Sequence, residues 1–433
     1  MKKVLIVTYY WPPSGGAGVQ RWVKLSRYFL KQGVQPYVVT VDPEKASYAL
    51  RDPSLADDIL PELKVYHTST LEPYGIYKTL TRKKEIPYGG FANEGAEVKF
   101  TQKMMRFIRG NLFLPDARVG WNRYAFLKCC EIIEKEKIDA VITTSPPHST
   151  QLVGLKLKKK YNLTWMADLR DPWTGIYYYD KLMLTAMSRK RDAAMERSVL
   201  ENADAVVVVS KSIRDEFLQK APRLKMEHIH IVPNGFDTAD LQKTQPMKTD
   251  SSFMISYTGT LTSDYRIDAL LEALGKSNEE FRFCVTGALP ESIKNKIATS
   301  IAEKSVFRAH VKHHDAVAQM KAADMLLLVI PDTDGKKGIL TGKLFEYIAV
   351  RKPILCIGPV DGDAAEIIRA TQSGETFDYA DVQGISRFIE NYFELKKKNG
   401  NTALPDNTEV QRYSRESQAG EVIRILNSIH IRK

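Results

Sequence analysis

The chain has 433 residues, more than one ordinary core supports, so two domains are expected. Its 43% hydrophobic and 27% charged residues exclude fibrous and disordered classes, and no run approaches the roughly 18 apolar residues of a membrane span. The net charge of +11 admits an anionic membrane surface or a phosphorylated small molecule; nucleic acid is excluded because Lys and Arg are dispersed, with no helix-turn-helix, zinc or RNP-type motif.

Lys3 to Thr8 reads as the first strand, since the N-terminal apolar run is too short for a span and has no small-residue cleavage site. A Pro/Gly loop, YYWPPSGGAG, then opens a helix carrying Val19, Trp22, Val23, Leu25 and Leu30. Gly15, Gly16 and Gly18 let backbone come close to a bound group at the helix start, although a tight strand-to-helix turn has the same composition. Pro36 to Val41 is the second strand. From about 44 to 122 the periods loosen, as in a functional insertion. Within it, KFTQKMMRFIRGNLFLP mixes Lys99, Lys103, Arg106 and Arg109 with Phe100, Met104, Met105, Phe107, Ile108, Leu112 and Phe113. Such a helix either lies on an anionic bilayer or packs its apolar side on the domain.

Regular alternation follows. Tyr124 to Lys135 reads as helix, Ala140 to Thr144 as a strand ending at SPPHS, Thr150 to Tyr161 as a basic helix, and Leu163 to Leu169 as a strand ending at RDPW. His148 and the trio Asp168, Arg170 and Asp171 thus fall at strand C-terminal ends, where α/β chemistry gathers. His148 faces a ligand or caps the next helix. The trio binds acceptor hydroxyls, polarises a base, or forms an internal ion pair. Ala203 to Val209 and His228 to Val232 are further strands, Ser212 with Asp215 resembles a capping box, and Thr238 to Ser252 reads as the linker.

The second domain opens with Met254 to Tyr257 and the loop TGTLTSDYR, where Thr258, Gly259 and Thr260 suggest a phosphate turn. Strands at Phe281 to Thr286, Phe307 to Val311, Met325 to Ile330 and Pro353 to Ile357 alternate with helices, which implies parallel βαβ units. His310, His313 and His314 in HVKHHD read as a strand-to-helix loop, since no further ligands have metal spacing; DTD at 332 to 334 and DGD at 361 to 363 read as turns. Lys343 and Glu346 share a face near the start of the helix TGKLFEYIAV, beside a Gly/Lys loop. Cys129, Cys130, Cys284 and Cys356 form no metal or disulfide pattern, which fits a cytoplasmic protein. Ala419, Val422, Ile423 and Leu426 give a final helix over Val410 to Ile429.

Lys343, Glu346, Tyr347 and Lys352-Pro353 in KLFEYIAVRKPIL resemble the donor-site segment of family 4 glycosyltransferases of the GT-B fold, and the Gly15, Gly16 loop is similar to that family's glycine loop. TTSPPHST with ADLRDPW resembles a subgroup found in bacterial polysaccharide clusters. The resemblance spans nearly the whole chain. It implies an α/β architecture of two Rossmann-like, doubly wound parallel-sheet domains facing a cleft, over 1–245 and 246–409, with residues 410–433 crossing back to the first. It further implies metal-independent transfer of a sugar from a nucleotide diphosphate sugar to a hydroxyl of a saccharide or lipid-linked acceptor, with retention. Glu346 would then face the ribose, Lys343 and Arg266 the diphosphate, Gly15 and Gly16 the cleft, and His148 the sugar. Two positions depart from the family. Gly338 stands where a second Glu is frequent, so N–H groups of Gly338, Ile339 and Leu340 would serve instead; Thr260 stands where a basic residue is frequent, which passes that duty to Arg266. A nucleotide-sugar epimerase or hydrolase of the same fold, and a non-catalytic nucleotide-sugar binder, remain alternatives.

Overall fold

The computed structural model describes residues 2–72, 100–249, 251–309 and 311–431. These divide into two compact units, 1–233 with 415–433, and 234–414. The first is built on a seven-stranded parallel sheet in the order β3-β2-β1-β4-β5-β6-β7. Its strands are β1 (Lys2–Val7), β2 (Val34–Val41), β3 (Lys64–Thr68), β4 (Ala140–Ser145), β5 (Thr164–Leu169), β6 (Ala205–Val208) and β7 (Ile229–Ile231). Side chains alternate across the sheet as a strand requires. Leu5, Val7, Val39 and Val141 enter the core on one face; Val4, Ile6, Val38 and Ile142 enter the core on the other.

The helices of this unit are α1 (Ala17–Lys31), α2 (Phe100–Leu112), α3 (Asn122–Glu136), α4 (Ser149–Tyr161), α5 (Ala186–Asn202) and α6 (Lys211–Lys220). The cap of α6 is Ser210, whose side chain accepts from the Ile213 N–H, and not the expected Ser212. Its extended backbone leaves the hydroxyl free to reach forward, as an N-cap must. Helix α2 turns its small and polar positions inward. A Cβ on Gly110 would lie 2.4 Å from the Leu182 carbonyl, the Asn111 amide donates to the Met183 carbonyl, and Arg106 is buried. Met104, Phe107, Ile108 and Leu112 are exposed. Of the two alternatives read from the sequence, packing of these four apolar side chains on the domain is therefore not the one seen.

The second unit has a six-stranded parallel sheet, β10-β9-β8-β11-β12-β13. Its strands are β8 (Phe253–Thr258), β9 (Phe281–Thr286), β10 (Ser305–Arg308), β11 (Met325–Val329), β12 (Ile354–Ile357) and β13 (Gly374–Phe377). Around it lie α7 (Thr238–Lys243), α8 (Asp268–Gly275), α9 (Glu291–Ile301), α10 (His313–Ala322), α11 (Gly342–Ala349), α12 (Asp363–Ala370) and α13 (Val382–Asn399). The break between units falls before the expected 245. Phe236 is buried in this unit's core, and Lys321 donates to the carbonyls of Leu241 and Thr244, so the expected linker is a docked helix.

The last helix, α14 (Arg415–Ile431), starts later than Val410 because Thr408–Tyr413 is a 3-10 turn with Val410 in the second unit's core. Ala419, Val422, Ile425 and Leu426 bury against the first unit together with Val19, Trp22 and Val23 of α1. β3, β10 and β13, missed or misplaced on the sequence, end a sheet. An edge strand is covered less fully and has no need of a continuous apolar run, which is why KVYHT and GETF gave no signal.

Both sheets reverse direction of winding once, between β1 and β4 and between β8 and β11. In an open parallel sheet the crevice at the carboxyl ends of those two strands is where ligands bind. The loops after β1, β4, β8 and β11 are therefore singled out by topology alone.

Candidate active site

In the second unit, the end of β8 turns on Gly259, whose φ of 122° is one that side-chain-bearing residues rarely adopt and whose would-be Cβ lies a tight 3.1 Å from the Lys343 amine. Gly287, at φ 135°, packs on the Gly259 carbonyl and supports the turn. Helix α11 is tied to β8 through Tyr347, whose hydroxyl meets the Thr258 N–H and hydroxyl, each at 3.2 Å. This anchoring aims the first turn of α11 at the switch point. Lys343 reaches across to donate to the Tyr257 hydroxyl at 2.6 Å and sits 4.0 Å from that ring's centroid. Burial pushes its ammonium down to about 7, against a weaker upward pull from Glu346. Among the described residues no carboxylate lies within ion-pair distance of it. The Thr341 hydroxyl at the helix start is buried without a partner.

Arg266 is half-exposed and pairs with Asp332 at 3.0 Å; Asp332 also takes Lys336 at 2.6 Å. The first acid of DTD is thus an ion-pair anchor between the loops after β8 and β11, beyond its turn role. Lys336 and then Arg266 hold its carboxyl below the usual range. The three N–H groups expected to face phosphate are not equivalent. Gly338 donates to Gly335 and Ile339 to Lys336, because Lys336–Gly338 closes as a 3-10 turn; Leu340 lies outside those bonds. Glu346 is bound through Oε1 to His313 Nε2 at 2.7 Å, and His313, expected in a strand-to-helix loop, is the first residue of α10. His310 and the 73–99 stretch lie outside the described residues.

In the first unit, Gly15 and Gly16 follow β1. The Gly15 N–H bonds the Leu50 carbonyl, and Gly16 adopts φ 101°. Asp168 is corrected from a catalytic candidate to an internal clamp. It is fully buried, its Oδ1 takes the Arg21 guanidinium at 3.0 Å, and its Oδ2 accepts from the Trp22 indole at 2.7 Å and the Thr144 hydroxyl at 2.8 Å. Arg170 is likewise internal: Nε donates to the Ser145 carbonyl and Nη1 to the Gly18 carbonyl, so it holds the glycine loop to the end of β4. A Cβ at Gly18 would stand 2.6 Å from that guanidinium, so a side chain there would have to displace it.

Asp171 is the member of the trio that is only half-buried, and desolvation raises its carboxyl more than Arg170 lowers it. His148 does not cap α4; the Asp116 carboxylate does, taking the Ser149 N–H and hydroxyl. Both ring nitrogens of His148 are buried without partners. Burial, with Arg170 and Lys220 beyond it, pushes its pKa down to about 3, so the ring is neutral. It stacks on Trp173 with centroids 5.1 Å apart and planes 16° off parallel. Trp173 in turn donates to Asp192 at 2.8 Å, and Thr174 donates to Glu196. Asp192, pushed up to about 6 by burial, and Glu196 are spaced i,i+4 on α5. That pairing of acids on one helix face was the available sequence signal for this support. Among the described residues no group of three His, Cys, Asp or Glu side chains is placed to hold a metal ion, and the four cysteines are buried and form no disulfide.

Residues 15–240, just over half of the chain, match the model of Glycosyltransferase Family 4. A curated relative, Alpha-maltose-1-phosphate synthase of Mycolicibacterium smegmatis, is 23% identical over 129 residues, 27% of this chain and 33% of that protein; the matched stretch spans a third of its length. Among solved structures, the sucrose-phosphate synthase of Thermosynechococcus elongatus superposes with a TM-score of 0.64 at 14% identity, over 100% of both chains. The Anabaena HepE structure in complex with UDP gives 0.62 at 12%, over 99% of this chain and 100% of that one. At such identities the likeness is one of fold.

Proposed function

The chain belongs to glycosyltransferase family 4 and has the GT-B fold, and from that premise we propose that it moves a sugar from a nucleotide diphosphate sugar to a hydroxyl of a saccharide or lipid-linked acceptor, in cell-surface polysaccharide synthesis. The observation that carries this reading is Lys343, a desolvated cation at a helix N-terminus beside a glycine turn, which no carboxylate among the described residues pairs with. Such a group is costly unless an anion completes it, and a diphosphate is the anion a helix start favours.

The bond from the anomeric carbon to the diphosphate breaks and a bond to the acceptor oxygen forms. The acceptor's proton passes to the departing diphosphate, on the same face, so configuration is retained. Lys343 and the N–H groups at the start of α11 stabilise the charge that develops on the leaving group, without a metal. Glu346 accepts from ribose hydroxyls. We assign neutral His148, which can accept or donate, to the transferred sugar, and Asp171 to an acceptor hydroxyl.

UDP in the Anabaena structure makes UDP-sugars the first donors to try. Thermal shifts with UDP, GDP, ADP and their sugars are expected to show one responding nucleotide, stabilised by about 2.7 kcal/mol at a hundredfold excess over Kd. Glu346→Ala is expected to shrink the shift sharply by weakening binding; no shift with any nucleotide would remove the reading. Product analysis with the responding donor separates transfer from hydrolysis and epimerisation.

A lipid-linked acceptor calls for a bilayer surface, and α2 supports one. Lys103 accompanies the exposed Met104, Phe107, Ile108 and Leu112, the stretch has no acid, Met183 beside it is exposed, and so is Met187 near the start of α5. Among the described residues no helix is long and apolar enough to cross a membrane, so contact would be peripheral. Co-sedimentation with vesicles containing phosphatidylglycerol is expected, weakened several-fold by Phe107→Ser with Met187→Ser and absent with neutral lipid. Equal recovery with both lipids or both proteins would refute it.

A further inference from the structure

Lys343 and Glu346 are three residues apart on one helix, a spacing at which opposite charges ordinarily pair. Here they do not pair: Lys343 goes to the Tyr257 hydroxyl, while Glu346 Oε1 goes to His313. Glu346 nevertheless acts on the Lys343 charge through space, and at this spacing the two side chains can pair if neither is held elsewhere. That pairing would consume the phosphate cation and the ribose acceptor together.

We infer that His313 is a positioning residue of the donor site, which holds the Glu346 carboxylate away from Lys343 and presents its second oxygen to the ribose. The inference rests on the donor-site reading above and adds a role for a side chain outside the α11 segment.

Geometry supports it. His313 is the first residue of α10, and that helix is fixed across two strands by Gln319, whose amide donates to the Ser256 hydroxyl at 2.8 Å and accepts from the Thr286 hydroxyl at 2.7 Å. Gln319 is buried, so the start of α10 is held in place from below. The imidazole Nε2–H donates to a carboxylate acceptor with only modest exposure at the Glu346 end, 21%, where such a bond is partly shielded from water. Oε2 of Glu346 is left for the ligand.

The test is isothermal titration of the full chain with UDP and, in parallel, GDP and ADP. His313→Ala is expected to weaken the responding nucleotide about tenfold, the effect of one charge-assisted hydrogen bond. His313→Gln, whose amide can occupy the Nε2 position, is expected to recover most of that loss. In transfer assays the donor KM rises while kcat at saturating donor stays near that of the unmodified protein. Glu346→Ala with His313→Ala is expected to bind no worse than Glu346→Ala alone, since the two act as a unit. Undiminished binding by His313→Ala, or losses that add in the double variant, would overturn the inference. Undiminished binding by Glu346→Ala would instead overturn the donor-site reading beneath it.

Discussion

Replacing Lys343 with methionine is expected to raise the melting temperature of the ligand-free protein and to weaken nucleotide diphosphate binding by about 10- to 100-fold, the loss of a charge-assisted contact to phosphate. The two effects have one cause. The ammonium is desolvated and paired with no carboxylate among the described residues, so removing it relieves the ligand-free fold; the Tyr257 hydroxyl it leaves behind still donates to the Thr260 carbonyl. Binding sites commonly trade stability for function in this way.

The pH dependence follows with a definite sign. The folded pKa of about 7 lies below the ordinary 10.5, so between these values the unfolded chain binds more protons and stability rises with pH. Below about 7 the destabilisation is fully present, and the gain from methionine is largest there. Donor affinity runs the other way: it falls as pH rises through 7, because the free site loses its cation, and binding above 7 takes up a proton. Melting curves at pH 6 and 9, with titrations in buffers of different ionisation enthalpy, read both. Affinity that is flat across pH 6 to 9 in the unmodified protein would sink the argument.

Replacing Asp168 with asparagine is expected to cost about 3–5 kcal/mol, because it leaves the Arg21 guanidinium buried without its counter-charge. In a unit of this size that lowers the melting temperature by about 10 °C. Arg21 also donates to the carbonyls of Val232 and Pro233, so the clamp ties α1 to the ends of β5 and β7. Removing both charges together, as Arg21→Met with Asp168→Leu, is expected to be much milder than the single change. A catalytic role predicts the opposite pattern, an unchanged melt with transfer abolished. Calorimetry beside activity on protein folded at low temperature distinguishes them.

What could be read along the chain was local. The alternation of short apolar runs with amphipathic helices determined two parallel α/β sheets, since buried parallel strands must be apolar on both faces and Val4 to Val7 or Met325 to Val329 satisfy that within a few residues. The segment proposed for the donor stood out by its likeness to family 4 motifs, and its local geometry was legible too: Lys343 and Glu346 are a helix turn apart, and the glycine turn at 259 ends its strand directly. The edge strands were not legible, because a strand covered less fully need not look apolar.

Tertiary structure decided what each polar residue does. Asp168 was indistinguishable from Asp171 in DLRD until the fold brought Arg21, 147 positions away, onto one of them and left the other half-exposed. His148 gained its neutrality from burial, with Arg170 and Lys220 beyond it, and Glu346 gained His313, across crossovers of the sheet. Sequence spacing determines which faces of an element are apolar, because that depends on the periods of helix and strand alone. The partner of a charge depends on which elements the crossovers set side by side, and only the folded sheet supplies that.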